Sequence, residues 1–208
     1  MIELFYASTP NGRKISIMLE EINFPYKVTP VDLSNGGQFD SKFRSISPFS
    51  KKPTIIDHEN NISIFESGAI LIYLGEKSGK FYDKKNRNLI NQWLIAQVAY
   101  VGPLLGQHHQ FYHFNRGKSK WGEERYFKIA KTIYKDLDER LEKSKFLAGN
   151  EYSIADIATF PWIARHPIHD IGIKNFSFLS RWYELISSRS AVIKGYDCLN
   201  KGEKIPQA

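Results

Sequence analysis

The sequence predicts a chain of two parts, a mixed α/β domain over residues 1–82 followed by an all-helical bundle over residues 87–208. Three observations lead there. Alternating and β-branched runs occur only in the first part, whereas every apolar pattern after Asp83 has helical spacing. Charge changes at the same place: residues 1–82 hold nine Lys/Arg against nine Asp/Glu, and residues 83–208 hold 20 against 13. Finally, Tyr82-Asp83-Lys84-Lys85-Asn86 has the composition of a linker.

In the first part, Ile2, Leu4 and Tyr6 alternate with Glu3 and Phe5, a short strand that runs out at Ala7-Ser8-Thr9-Pro10-Asn11-Gly12. Ile15, Met18, Leu19 and Ile22 then fall at i, i+3, i+4, i+7, one face of a helix closed by Asn23-Phe24-Pro25. Tyr26 to Leu33 is β-rich with Pro30 inside, an edge strand or bulge, and Asn35-Gly36-Gly37 reads as a loop. Beyond a polar stretch from Gln38 to Lys52, Thr54–Asp57 and Ile62–Phe65 flank the turn-like His58-Glu59-Asn60-Asn61 and form a hairpin. A helix from Ser67 to about Lys77 stops at Gly79. The order βαβ, irregular helix, ββα is that of a thioredoxin-like domain.

The second part is read as helices over Asn88 to about Phe114, Trp121 to about Ser144, Ile154 to about Arg165 and Phe176 to about Ser188. Tyr126, Ile129, Ala130, Ile133, Leu137 and Leu141 make one stripe that must be buried against neighbouring helices. Ser153 with Asp156 at N3 has capping-box spacing, and Tyr152 with Ile157 that of a hydrophobic staple.

Composition bounds the function. The 208 residues are 42% apolar, 14% aromatic and 25% charged, which excludes disorder and fibrous classes. No run of 18 apolar residues and no basic-then-apolar start occurs, so neither a membrane span nor a signal peptide is expected, and a cytoplasmic location is the default. The single Cys198 excludes an internal disulfide, a protein-borne dithiol and a Cys-rich metal site; redox chemistry would need a borrowed thiol. The net charge of +7 comes from lysines such as Lys128, Lys131 and Lys135 interleaved with acids, a solvated helix face rather than a phosphate track, so nucleic acid is not an expected partner. His109 and His113 stand at i, i+4, yet no further ligand set accompanies them, and no metal is expected.

Three segments of the first part can carry chemistry. At Ser8-Thr9-Pro10-Asn11-Gly12 a helix begins, and its unpaired N–H groups with the Thr9 hydroxyl and Asn11 amide can stabilise a thiolate; the same residue types also make an ordinary N-cap. Lys52-Pro53-Thr54 places a proline directly before a strand. In a thioredoxin-like domain that proline is cis and turns the backbone of Lys52 outward to pair with an extended peptide, whereas a trans proline entering an edge strand is the plain alternative. At Phe65-Glu66-Ser67-Gly68 a strand hands over to a helix, where Ser67 can hold a carboxylate and Glu66 an ammonium, the two partners of an α-amino-acid head group, although Ser67 also suits a simple cap.

Thr9-Pro10-Asn11-Gly12, Gly36-Gly37-Gln38-Phe39, Ile46-Ser47-Pro48, Lys52-Pro53-Thr54-Ile55 and Phe65-Glu66-Ser67-Gly68-Ala69-Ile70, in that order, resemble cytosolic glutathione transferases over the whole chain. Thr-Pro-Asn-Gly with Gly-Gly-Gln-Phe is most similar to the bacterial nu-class and yeast nitrogen-regulator-like branch, whose bacterial members are glutathione-dependent disulfide-bond oxidoreductases. Leu147-Ala148-Gly149-Asn150-Glu151-Tyr152-Ser153-Ile154-Ala155-Asp156 and Gly102-Pro103-Leu104-Leu105-Gly106-Gln107-His108-His109-Gln110-Phe111 extend the resemblance into the helical part.

The resemblance implies glutathione as co-substrate and no metal. Glu66 and Ser67 would hold the γ-glutamyl head, the Lys52 backbone beside Pro53 the cysteinyl amide, and Gln38 with the Lys52 side chain the glycyl end. Arg125 would reach glutathione bound to the partner subunit of a homodimer. The cleft wall for the second half of a disulfide would include Phe111 and Tyr112. Asn11 and Thr9 are the implied thiolate donors, with Ser8 a rival; Tyr6 reads as a packing residue. The expected activity is thiol–disulfide exchange on a small disulfide. Conjugation to an electrophile, peroxidase activity and a non-catalytic glutathione-binding regulatory module are the alternatives.

Overall fold

A computed structural model of the chain describes residues 1–31 and 39–208, the Lys42 side chain excepted. The loop expected at Asn35-Gly36-Gly37 and the candidate Gln38 lie outside these residues. Two compact units emerge, 1–82 with 189–204 and 83–188 with 205–208.

The first unit runs β1 (Ile2–Tyr6), α1 (Pro10–Ile22), β2 (Tyr26–Pro30), α2 (Ser41–Ile46), β3 (Thr54–Asp57), β4 (Ile62–Phe65) and α3 (Ser67–Ser78). The sheet order is β2-β1-β3-β4, with β1 parallel to β2 and antiparallel to β3, and β3 antiparallel to β4. This is the thioredoxin-like arrangement that the element order predicts. Pro30 ends β2 on the sheet edge, where a missing N–H costs no ladder bond. The β3–β4 turn is tied to α3 through Asp57. Buried at 0% exposure, it accepts from the Tyr73 hydroxyl and pairs with Lys77 at 2.9 Å; despite the opposing effect of burial, these bonds hold its carboxyl below the usual range.

In the second unit, α4 (Arg87–Ala96) and α5 (Gly102–His108) are each followed by π-type turns, Gln97–Val101 and His109–Phe114. The long helix expected from Asn88 to Phe114 is therefore interrupted by underwound turns in two places; Asn115 N–H, for example, donates to the Gln110 carbonyl at 3.0 Å. Next come α6 (Lys120–Glu142), α7 (Ile154–Ile163), the short α8 (His166–His169) and α9 (Ser177–Ser187).

The capping box at Ser153 is formed, and its acid does more than cap. Asp156, fully buried, accepts from Ser153 N–H at 3.0 Å, Leu147 N–H at 2.9 Å and the Trp182 indole at 2.9 Å. Burial pushes its carboxyl up, against these bonds.

Residues 189–204, part of the stretch 87–208 read from the sequence as the second domain, cluster with the first unit. A helix not anticipated from the sequence, α10 (Ser190–Tyr196), groups with the first unit. Its Gly195 lies so close to α1 that a Cβ would stand 2.5 Å from Ile17 Cα, and Ser16 Oγ donates to the Gly195 carbonyl at 2.6 Å. Arg189 forks onto Glu21 at 2.6 and 2.8 Å, and Arg13 pairs with Glu203 at 3.1 Å. Covered by α3 and α10, α1 is buried nearly all round, from Gly12 through Leu19, rather than on one face.

Among the described residues, no helix is long and apolar enough to cross a membrane, and no group of three or more His, Cys, Asp or Glu could hold a metal ion.

Candidate functional site

Strand register gathers the three segments singled out from the sequence. Phe5 pairs with Thr54 and Thr54 with Phe65, so the end of β1, the start of β3 and the end of β4 share one end of the sheet. The Ser8–Gly12 turn leaves from that end, Lys52–Pro53 enters it, and Glu66–Ser67 leaves it again.

At the start of α1, Thr9 is the N-cap, in extended conformation, and its Oγ1 accepts from Gly12 N–H at 3.2 Å. The capping role is therefore real, and it leaves the hydroxyl proton without an acceptor among the described residues, able to donate outward. Asn11, half-buried, occupies the first turn just behind Pro10, where the helix dipole favours negative charge. Gly12 is required by the approach of this turn to β1, because a Cβ would stand 2.2 Å from the Ala7 carbonyl oxygen. Ser8 is half-buried beside them. Tyr6 is 1% exposed, and burial together with nearby Cys198 pushes its phenol up, consistent with packing rather than thiolate generation.

The Lys52–Pro53 peptide bond is cis. Ahead of it, buried Ser47 receives Lys51 N–H at 3.1 Å and donates to the Lys51 carbonyl at 2.6 Å, pinning the loop that presents Lys52. The Lys52 side chain is half-buried, which lowers its ammonium pKa, with neighbouring Lys51 acting in the same direction.

Glu66 is exposed and holds φ +69°, ψ 118°, a conformation unusual for a residue with a side chain. It turns the chain directly from β4 into α3. Ser67, 6% exposed, is the first residue of that helix, so it adjoins unpaired N–H groups and the positive end of the dipole. Beneath it lies a residue the sequence reading passed over. Lys14 of α1 is 1% exposed, and its Nζ donates to Ser67 Oγ at 3.2 Å. Burial lowers its pKa to about 7, against the opposing charge of Glu66. The available signal was a lysine followed at i+1, i+3 and i+4 by Ile15, Ile17 and Met18, with no acid at helical spacing.

Arg125 belongs to the other unit, exposed on α6 with its guanidinium 5.3 Å over the Trp121 ring. Phe111 stacks on Tyr126 at 5.1 Å, and Tyr112 stacks on Phe127 at 5.0 Å while donating to Asp170 at 2.9 Å, so both pack within their own unit. His109 is buried against His169, Nε2 to Nε2 at 2.8 Å, a partner that local spacing did not reveal. Cys198 sits in the first unit beside an open cavity of about 520 Å³ lined also by Glu20, Tyr26 and Lys194; none of the candidate residues lines it. Burial pushes the Cys198 thiol up, so it is a poor nucleophile.

Comparison with known proteins accounts for this arrangement. The glutathione S-transferase N-terminal domain family matches residues 2–76, and the C-terminal domain family matches residues 107–190. The disulfide-bond oxidoreductase YfcG of Escherichia coli (strain K12) is 43% identical over 198 residues, 92% of each chain. A Burkholderia graminis glutathione transferase, solved with two glutathione molecules bound per subunit, superposes with TM-score 0.91 at 35% identity, over 97% of this chain and 89% of that one. A Pseudomonas putida glutathione transferase, solved with one glutathione disulfide bound per subunit, gives TM-score 0.86 at 34% identity, over 94% and 90%. With both of its domains matched and the thioredoxin-like sheet in place, the chain belongs to the glutathione S-transferase family.

Proposed function

We propose that this protein is a glutathione-dependent disulfide-bond oxidoreductase that works with the thiol of its bound tripeptide. The observation that carries the reading is the meeting, at one sheet end, of a capped helix start without a cysteine, a cis Lys52–Pro53 bond and the Glu66–Ser67 entrance to α3. The likeness to a disulfide-bond oxidoreductase and to transferases holding reduced or oxidised glutathione supports it.

Glu66 and Ser67 take the γ-glutamyl ammonium and carboxylate. The Lys52 backbone pairs with the cysteinyl amide, and the Lys52 side chain, with Gln38, meets the glycyl carboxylate. The sulfur then lies at the start of α1. A free thiol has a pKa of about 8.5, and each unit of depression corresponds to about 1.4 kcal/mol of thiolate stabilisation. Donors from Asn11 and Thr9, with the helix dipole, supply it. The thiolate attacks one sulfur of a substrate disulfide; an S–S bond forms to glutathione and the other half leaves as thiolate. A second glutathione thiolate attacks the glutathione sulfur of the mixed disulfide, releasing the remaining substrate thiol and glutathione disulfide. The substrate gains two electrons and two glutathiones lose one each, so no protein cysteine takes part.

We assign the enzyme to a homodimer in the cytoplasm, with Arg125 of each chain reaching the glutathione of the other. The exposed Ile95, Tyr100 and Trp121 of its helical unit are apolar surface suited to burial by a second copy.

Reduction of 2-hydroxyethyl disulfide by glutathione tests the reading. Asn11→Ala is expected to lower kcat/KM by at least about tenfold through loss of a donor to an anion, and Ser8→Ala by less than about threefold on the same scale. Comparable losses, or a larger one for Ser8, would reassign the donor. Retention on immobilised glutathione without turnover would make the protein a binding module instead.

A further inference from the structure

Lys14 is chemically out of place. A lysine is almost never fully buried unless paired; this one is 1% exposed and donates to Ser67, the first residue of α3, at 3.2 Å. Its position is fixed by the fold, since α1 is covered on both sides and cannot rotate to bring the ammonium to solvent.

The consequence lies in the direction of one hydrogen bond. An ammonium has three donors and no acceptor. Facing it, Ser67 Oγ must accept, and the serine proton is left to donate elsewhere. A neutral amine has a lone pair and can accept that proton instead, turning the serine inward. We propose that Lys14 is the positioning residue of the anchor: its ammonium holds the Ser67 hydroxyl as an outward donor, provides a buried counter-charge, and gains a proton when a ligand carboxylate docks on the N-terminus of α3. This rests on the reading that Ser67 and Glu66 hold the γ-glutamyl head.

Burial has brought the Lys14 pKa to about 7, so both forms exist near neutrality. The ionisable groups on the elements packed around it include Glu66 ahead of α3, Tyr73, Glu76 and Lys77 on α3, Glu3 and Tyr6 on β1, Lys194 and Tyr196 on α10, and Arg13, Glu20 and Glu21 on α1 itself. Lys194 is engaged by Glu20 at 2.7 Å, and Arg13 by Glu203 at 3.1 Å and the Tyr196 ring at 3.8 Å. The charge of Glu66 favours the ammonium. A ligand carboxylate at Ser67 adds a second negative charge with the same effect.

Calorimetric titration with S-methylglutathione, which has no thiol to ionise, in buffers of different ionisation enthalpy tests this between pH 6 and 7.5, where the ligand's own α-ammonium keeps its proton both free and bound. The unmodified protein is expected to take up protons on binding above pH 7, its affinity falling up to about tenfold per pH unit there. Lys14→Met should bind at least about tenfold more weakly at pH 6.5, the order of a lost charge-assisted contact, with no proton uptake. Lys14→Arg, always charged, should bind without the pH dependence. Binding by the unmodified protein with no proton uptake, or an unchanged pH profile in Lys14→Met, overturns the role of Lys14 and leaves the glutathione site standing. No binding by the unmodified protein overturns both. Should neither variant fold, proton uptake by the unmodified protein still decides.

Discussion

Asp156→Ala lowers the stability of the chain by about 3–5 kcal/mol, the range for breaking a buried charged network from one side. The acid receives Leu147 N–H, Ser153 N–H, the Ser153 hydroxyl and the Trp182 indole with no exposure to water, so its removal leaves four buried donors unpaired and dismantles one half of the capping box of α7. A lost cap alone costs only about 1 kcal/mol. Asp156→Asn keeps one oxygen able to receive Leu147 N–H and the indole, but opposes an amide N–H to Ser153 N–H, and falls between. Denaturant titration checks the order; an alanine variant within 1 kcal/mol or so of the parent would mean that water or a shifted loop replaces the carboxylate.

Acidification from pH 7 to 5 is the second large effect. Tyr134, whose phenol burial pushes far above its usual range, keeps its proton and donates to His169 Nδ1 at 2.6 Å. His169 therefore carries its own proton on Nε2 and donates to His109 Nε2 at 2.8 Å, and His108 Nε2 donates to the His169 carbonyl at 2.9 Å. A proton added to His109 Nε2 would set two N–H groups against each other. Burial lowers the pKa of all three histidines, that of His109 to about 3, and the Arg165 charge adds to the effect at His109 and His169. Depressed bases are protonated more readily in the unfolded chain. Their contribution is whole above the unfolded value of about 6.5 and declines below it, by up to about 1.4 kcal/mol per pH unit for each histidine. Denaturation midpoints at pH 7, 6 and 5 should fall steeply, and His109→Gln, which can still accept from His169, should flatten the fall. A stability that stays level to pH 5 contradicts a neutral network.

Elements with strong periodicity were legible. β1 and the β3–β4 hairpin came from alternation and turn residues, and α6 and α7 from apolar stripes and caps. What escaped was decided by distant partners. In α10, Gly195 reads as a helix breaker, whereas it is the residue that lets that segment touch the Ile17 backbone. The π-type turns at Gln97–Val101 and His109–Phe114 leave no mark in composition. Thr9 and Ser67 were recognised from cap chemistry and sheet order, but Lys14 reads locally as one more surface lysine until α3 is laid over it. His169 lies 60 residues from His109, beyond any local spacing rule.

The central claim is that the catalytic sulfur belongs to the tripeptide and is ionised by the first turn of α1. Titration of the thiolate ultraviolet absorbance of glutathione bound to the Cys198→Ala protein tests it without background from the protein's own thiol. The account predicts a bound thiol pKa at least about one unit below the free value of about 8.5, returning toward that value in the Asn11→Ala background. A bound thiol that titrates like free glutathione, or loss of disulfide turnover on removing Cys198, would contradict it.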